Sequence, residues 1–310
     1  RCLRQLPRGV PGSELMKIAL AALAIVFLAT ISLGALITMP AGLDPIQIEA
    51  TAPNVKRGAY LARVAGCVAC HTDASGGGAP FAGGVALESK FGTFYSPNIT
   101  QDTQSGIGDW SLEDFARALR HGISPGGTPY YPAFPYAFYA SLNDRDVSDL
   151  WVALRTVPAN ATPSRDHDVG FPFSLRSGLR VWRAVFAAPP VVETDPSRSA
   201  AWNRGRFIAD GLAHCGACHT PRNLAGAPML ERAYTGDPAM LDGGSSPPID
   251  AATLRANGWT REALITALRT GIAPDGDVLG GSMKEVVSDG TSYLLPLHLE
   301  DLATFLLDED

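Results

Sequence analysis

Positive charge is scarce in this 310-residue chain: 25 lysines and arginines stand against 31 acidic residues, a formal net charge of −6. Nothing in it would neutralise a run of phosphates, which argues against a nucleic-acid partner. A mildly acidic surface suits instead a partner with a basic docking face. Charged residues make up only 18 per cent of the chain. No P-loop, dinucleotide fingerprint or convincing nucleophile triad is found, so phosphate-cradling and acyl-transfer chemistries have no foothold. Methionine is missing between Met39 and Met229, and cysteine is limited to five residues.

What is plentiful is glycine and proline, 32 and 24 residues, which predicts long ordered loops between helices. From Ile18 to Pro40 the sequence is apolar and uncharged, preceded by Arg1, Arg4, Arg8 and Lys17 against the single acid Glu14. That length matches the roughly 20 residues that cross a bilayer core, and the basic flank would stay cytoplasmic. A cleaved signal peptide shares the basic start and apolar core, but the core is long and no small-x-small site follows it. The expectation is a transmembrane anchor over 16–40, with 1–15 a cytoplasmic flank or an extension before a true start at Met16. The bulk of the chain would then lie on the periplasmic side of a bacterial inner membrane, with membrane lipid in contact with the N-terminal helix.

The remainder repeats itself. Arg57–His71 reads RGAYLARVAGCVACH and Arg204–His219 reads RGRFIADGLAHCGACH. Each is followed by a Gly-rich loop and a tryptophan, Trp110 or Trp259, that opens an apolar-periodic segment: Leu112/Phe115/Leu119 in one copy, Leu264/Ile265/Leu268 in the other. Ser111 and Thr260 suit the N-caps, and HGISPGG and TGIAPDG supply glycine and proline stops. Final helices are expected over Asn143–Arg155 and Leu299–Leu307. The reading is all-α: two tandem helical domains, 46–160 and 200–310, joined by a Pro-rich connector over 161–199 with an amphipathic piece at Phe173–Phe186.

Four of the five cysteines form the pairs Cys67/Cys70 and Cys215/Cys218, each followed at once by a histidine, His71 and His219. Two C-x-x-C pairs could bind zinc, but the histidine recurs and the pairs sit far apart in a longer repeat. Two thiols on one helical turn can each form a thioether to a haem vinyl group, and the next histidine then offers its imidazole to the iron. C-x-x-C-H is the attachment signature of c-type haem. Two copies predict two covalently bound haems, with iron held by His71 and His219.

The stretches CVACH, FYSPNIT, GIGDWSLEDFARALRHGISPGG, YYPAFPY, CGACHTPRN and GGSMKEVV resemble the dihaem class I cytochromes c. They resemble most the membrane-anchored cytochrome subunits of bacterial alcohol, aldehyde and gluconate-type dehydrogenases. The resemblance covers nearly everything after residue 50. Many of those subunits carry three haem motifs, whereas this chain carries two.

The resemblance implies a methionine as the sixth iron ligand, which raises the potential. In the second copy this is Met283 of GGSM, seven residues after Gly276. In the first copy Gly127 corresponds to Gly276, and seven residues on stands Phe134, where relatives often have methionine. Phenylalanine has no lone pair to give. The first iron is therefore five-coordinate or ligated by His121, His167, Tyr130, Tyr131 or Tyr136. A histidine ending a helix, like His121, is also explained by the helix dipole. Asn98 and Trp110 resemble pocket residues near the haem edge, and equally a turn asparagine and a core tryptophan.

Any of these outcomes puts haem 1 at a lower potential than haem 2. The expected function is electron transfer in a respiratory chain, from a periplasmic dehydrogenase or respiratory complex to a downstream carrier or oxidase, with no catalytic residue in the chain itself. An open haem 1 that binds a small ligand or performs redox catalysis is the alternative.

Overall fold

The computed structural model describes residues 12–38, 46–49, 52–186 and 193–309. Helix α1 (Gly12–Thr38) precedes the first repeat, which contains α2 (Val55–Val64), α3 (Cys67–His71), strands β1 (Ala86–Leu87) and β2 (Gly92–Tyr95), α4 (Leu112–His121), α5 (Tyr136–Tyr139) and α6 (Asp144–Leu154). The connector adds strand β3 (Asp168–Val169) and α7 (Gly178–Phe186). The second repeat holds α8 (Ala200–Phe207) with a π-helical turn at Ile208–Leu212, then α9 (Gly216–His219), α10 (Ala251–Ala256), α11 (Arg261–Thr270), α12 (Ser282–Asp289) and α13 (Pro296–Leu306).

The helices begin and end where side chains satisfy their free backbone groups. Ser111 accepts from the Asp114 N–H while Asp114 reaches back to the Ser111 N–H, a capping box that starts α4. Thr260 accepts from the Ala263 N–H at the start of α11. Gly122 and Gly271 end those two helices in the left-handed conformation that glycine adopts without strain.

In each repeat the first and last helices cross at a glycine. A Cβ on Gly58 would lie 1.8 Å from the Asp149 carbonyl oxygen, and one on Gly205 would lie 1.9 Å from that of Asp301. Only glycine lets α2 meet α6, and α8 meet α13, at this distance. The arginine before each glycine seals the crossing. Arg57 bonds to Asp146 and, at 2.6 Å, to Asp149; Arg204 holds Asp301 through two bonds of 2.7 and 2.8 Å. Leu61, Leu119, Leu150 and Leu154 fill the first core, and Leu254, Leu299 and Leu302 the second. Ile208, Ala209 and Leu212 belong to the same continuous apolar cluster as both.

Two expectations are corrected. The part after α1 is not purely helical: β1, β2 and β3 form a small antiparallel sheet in the order β1-β2-β3. Connector strand β3 pairs Val169 with Gly92 and Asp168 with Thr93, so the connector is stitched to the first repeat by backbone bonds. Second, among the described residues no helix is long and apolar enough to cross a membrane, which overturns the transmembrane anchor over 16–40. α1 forms there, but it opens on the Glu14–Lys17 pair at 2.7 Å. The basic flank with Arg1, Arg4 and Arg8 lies outside the described residues.

Candidate functional site

Each C-x-x-C-H run occupies one helical turn. Cys67, Cys70 and His71 share α3, and Cys215 caps α9, which carries Cys218 and His219. None of these four cysteines is paired in a disulfide. Burial pushes Cys67 and Cys215 up to about 12 and raises Cys70 and Cys218 as well. Among the described residues, no three His, Cys, Asp or Glu side chains converge as a zinc centre would require.

The two histidines are held in the same way. His71 Nδ1 lies 2.7 Å from the Pro97 carbonyl oxygen, and His219 Nδ1 lies 2.8 Å from that of Pro247. A carbonyl only accepts, so each Nδ1 carries the proton and each Nε2 keeps its lone pair. Burial also lowers both pKa values against the partial compensation of that carbonyl bond. A neutral imidazole with Nε2 free and Nδ1 anchored is the state that an iron ligand needs.

The anchoring loop is built alike in both repeats. Gly83 N–H donates to the His71 carbonyl at 2.8 Å, and Gly236 N–H to that of His219 at 2.9 Å. Both glycines have positive φ, 75° and 77°, and pass so close to the Ser-Pro segment that a Cβ would lie 2.5 and 2.7 Å from its backbone. The sequence reading missed Gly83, Gly236, Pro97 and Pro247. The available signal was the dipeptides Ser96-Pro97 and Ser246-Pro247, at similar distances from their histidines.

Cys67, Cys70 and His71 open into a cavity of about 310 Å³. Its walls are largely apolar and include Trp110, Phe115, Phe134, Leu119 and Leu150. Two thiols, an Nε2 lone pair and an apolar chamber together fit a covalently attached haem.

The side chains considered for the sixth position divide sharply. His121 is exposed at the end of α4 and does not line the cavity; its carbonyl accepts from Arg183 at 2.6 Å. Tyr136 is buried but also does not line it, and lies beneath the Arg183 guanidinium. Tyr131 lines it, with its hydroxyl donating to the Phe173 carbonyl at 2.8 Å. Tyr130 lines it too, and burial pushes its phenol up to about 12, leaving it neutral. His167 reaches the cavity from the connector, but its Nδ1 accepts the Tyr95 N–H at 3.1 Å. Its neutral ring must then be protonated on Nε2, which turns a donor rather than a lone pair outward.

In the second repeat Met283 is half-buried in the first turn of α12. That helix packs against α11 and also against α3 of the first repeat, bringing Glu285 within electrostatic reach of Cys70. Trp110 lines the first cavity. Asn98 does not: its amide donates to the Asn160 and Thr162 carbonyls at 2.8 Å each, and its oxygen accepts from Thr100 N–H at 2.9 Å. It clamps the loop whose Pro97 orients His71. Asn98→Ala is expected to destabilise the protein by about 2–3 kcal/mol, the cost of leaving these buried groups unpaired. Denaturant unfolding of the variant checks this.

No family model matches the chain. It is 38% identical over 290 residues to a dihaem c-type cytochrome of Cereibacter sphaeroides, covering 92% of this chain and 96% of that one. It is 40% identical over 268 residues to the gluconate 2-dehydrogenase cytochrome c subunit of Pantoea cypripedii, covering 81% and 58%. It is 38% identical over 268 residues to the fructose dehydrogenase cytochrome subunit of Gluconobacter japonicus, covering 85% and 54%. The chain thus spans a little over half the length of these two dehydrogenase subunits.

Proposed function

We propose a division of labour between two redox centres, from the premise that this chain belongs to the dihaem c-type cytochromes and carries two covalently bound c-type haems with iron. Electron transfer is the function that such relatives imply. Haem 1 is held by Cys67 and Cys70 with His71 as its axial ligand, and haem 2 by Cys215 and Cys218 with His219. The observation that carries this is the paired anchoring of His71 and His219 on proline carbonyls, which leaves Nε2 free in both. Bound there, the haems supply reversible one-electron chemistry; the protein sets their ligands, burial and docking.

Met283 completes the coordination of haem 2. Haem 1 keeps an open sixth position: Phe134 has no donor atom, His167 turns its Nε2–H rather than a lone pair outward, and Tyr130, a neutral phenol, is a poor iron ligand. The methionine sets haem 2 at the higher potential. Electrons enter at haem 1 and leave from haem 2, from a dehydrogenase of a small oxidisable substrate toward a further carrier or oxidase. The location that suits covalent haem attachment is the exported, periplasmic side.

The open position also supports a second reading, in which haem 1 binds a small exogenous ligand under the Nε2–H of His167. Carbon monoxide added to the reduced protein is expected to bind one haem per chain, and low-temperature electron paramagnetic resonance of the oxidised protein to show one high-spin and one low-spin signal. Two low-spin signals with no carbon monoxide uptake would show that haem 1 has a sixth protein ligand.

A further inference from the structure

We propose that His214 couples the two attachment motifs and sets the rate of electron exchange between the haems they carry. The proposal rests on the attachment assignments above. His214 immediately precedes Cys215, and in the first repeat the residue before the first cysteine is Gly66. Both take positive φ, 71° at Gly66 and 40° at His214. The chain must turn through the left-handed region to enter the attachment helix. Glycine does this freely, whereas a side chain there is strained. The second repeat nevertheless carries histidine, and its imidazole spans the gap between the repeats.

The ring lands on the equivalent point of the other motif. It is packed at 5.6 Å from Tyr139 and 6.2 Å from Phe138 of the first repeat. The Ala65 carbonyl, two residues before Cys67, stands close enough to the ring to act on it electrostatically. A Cβ on Gly66 would stand 3.6 Å from His214 Nε2, an ordinary contact distance, so the ring of the second motif reaches the turn that precedes Cys67. Tyr139 donates its hydroxyl to the same Ala65 carbonyl. Gly211 and Gly216 bring the surrounding segment against Ser141 and Phe138. A continuous link therefore runs from Cys67 through Gly66 and the Ala65 carbonyl, across to the His214 ring, and by one peptide bond to Cys215.

In each exchange one electron is lost by a ferrous haem at one motif and gained by a ferric haem at the other. Burial keeps His214 neutral throughout, so no proton needs to move.

The test uses the full chain loaded with both haems, photoreduced to one electron per molecule, with the approach to redistribution followed by absorbance. His214→Gly relieves the backbone strain by copying the first repeat, and His214→Phe keeps the ring stacked on Phe138 and Tyr139 while removing the N–H. Both variants are expected to keep two haems and both reduction potentials, while redistribution slows several-fold. An unchanged rate in either variant overturns the proposal. A variant that loses a haem also overturns it, since the residue would then serve attachment. Failure of the attachment reading itself is distinct: the protein with Cys67, Cys70, Cys215 and Cys218 all replaced would keep its haem stain under denaturing conditions.

Discussion

Replacing Met283 with leucine is expected to lower one of the two reduction potentials by on the order of 0.1 V or more and to leave the other where it was. Leucine is close to methionine in volume, and swaps of this kind cost less than about 1.5 kcal/mol, so the fold of α12 should survive. What disappears is the thioether sulfur. Methionine raises a haem potential, and axial ligands as a class span roughly 0.8 V. The variant's second haem should therefore fall toward the first, remove the downhill step between them, and begin to take up carbon monoxide. Spectroelectrochemical titration reads all of this from two waves. Which wave moves matters as much as whether one does. α12 lies against α3 as well as α11, so a shift of the lower wave would mean that Met283 serves haem 1 from across the interface. Two unmoved waves would remove Met283 from the iron altogether.

The two attachment motifs and the internal repeat were legible because they are local. Cys67, Cys70 and His71 need only one helical turn, and capping at Ser111 and Thr260 needs only three residues. The pairs Arg57-Gly58 and Arg204-Gly205 also stood in the repeat, but their purpose became visible only when α6 and α13 supplied Asp149 and Asp301 from more than ninety residues away. The sheet was missed because β1 and β3 are two residues each, too short for alternation to register, and β3 depends on a partner in another segment. The membrane segment was misjudged because a composition window counts apolar residues without regard to what the described helix presents. His167 stands as a candidate for iron on the sequence, and what bears on it, the Tyr95 N–H donating to its Nδ1, comes from another segment; His214 drew no notice because a single histidine before C-x-x-C-H has no pattern of its own.

Removing the cation at the α2–α6 crossing should be the most damaging change to stability. Arg57→Leu is expected to cost about 3 kcal/mol, the lower end of what breaking a buried ion pair costs, because Asp146 and Asp149 are 1% and 0% exposed and lose their shared partner. The lower end applies because the Arg57 side chain is itself 36% exposed, Arg145 stands 4.0 Å from Asp149, and Asp149 still accepts the Asn54 N–H at 2.6 Å. Arg204→Leu should cost less, about 2 kcal/mol, since it orphans the single carboxylate of Asp301 and is 47% exposed. Guanidinium unfolding of the haem-loaded protein measures both. Adding Asp149→Asn to Arg57→Leu should recover part of the loss, because a neutral amide no longer needs a cation. If the double variant is no more stable than the single one, the arginine acts through packing over the helix crossing and not through its charge. The distinction reaches the redox centre: only two residues separate α2 from Cys67, so whatever fixes α2 on α6 also fixes the angle at which α3 presents His71.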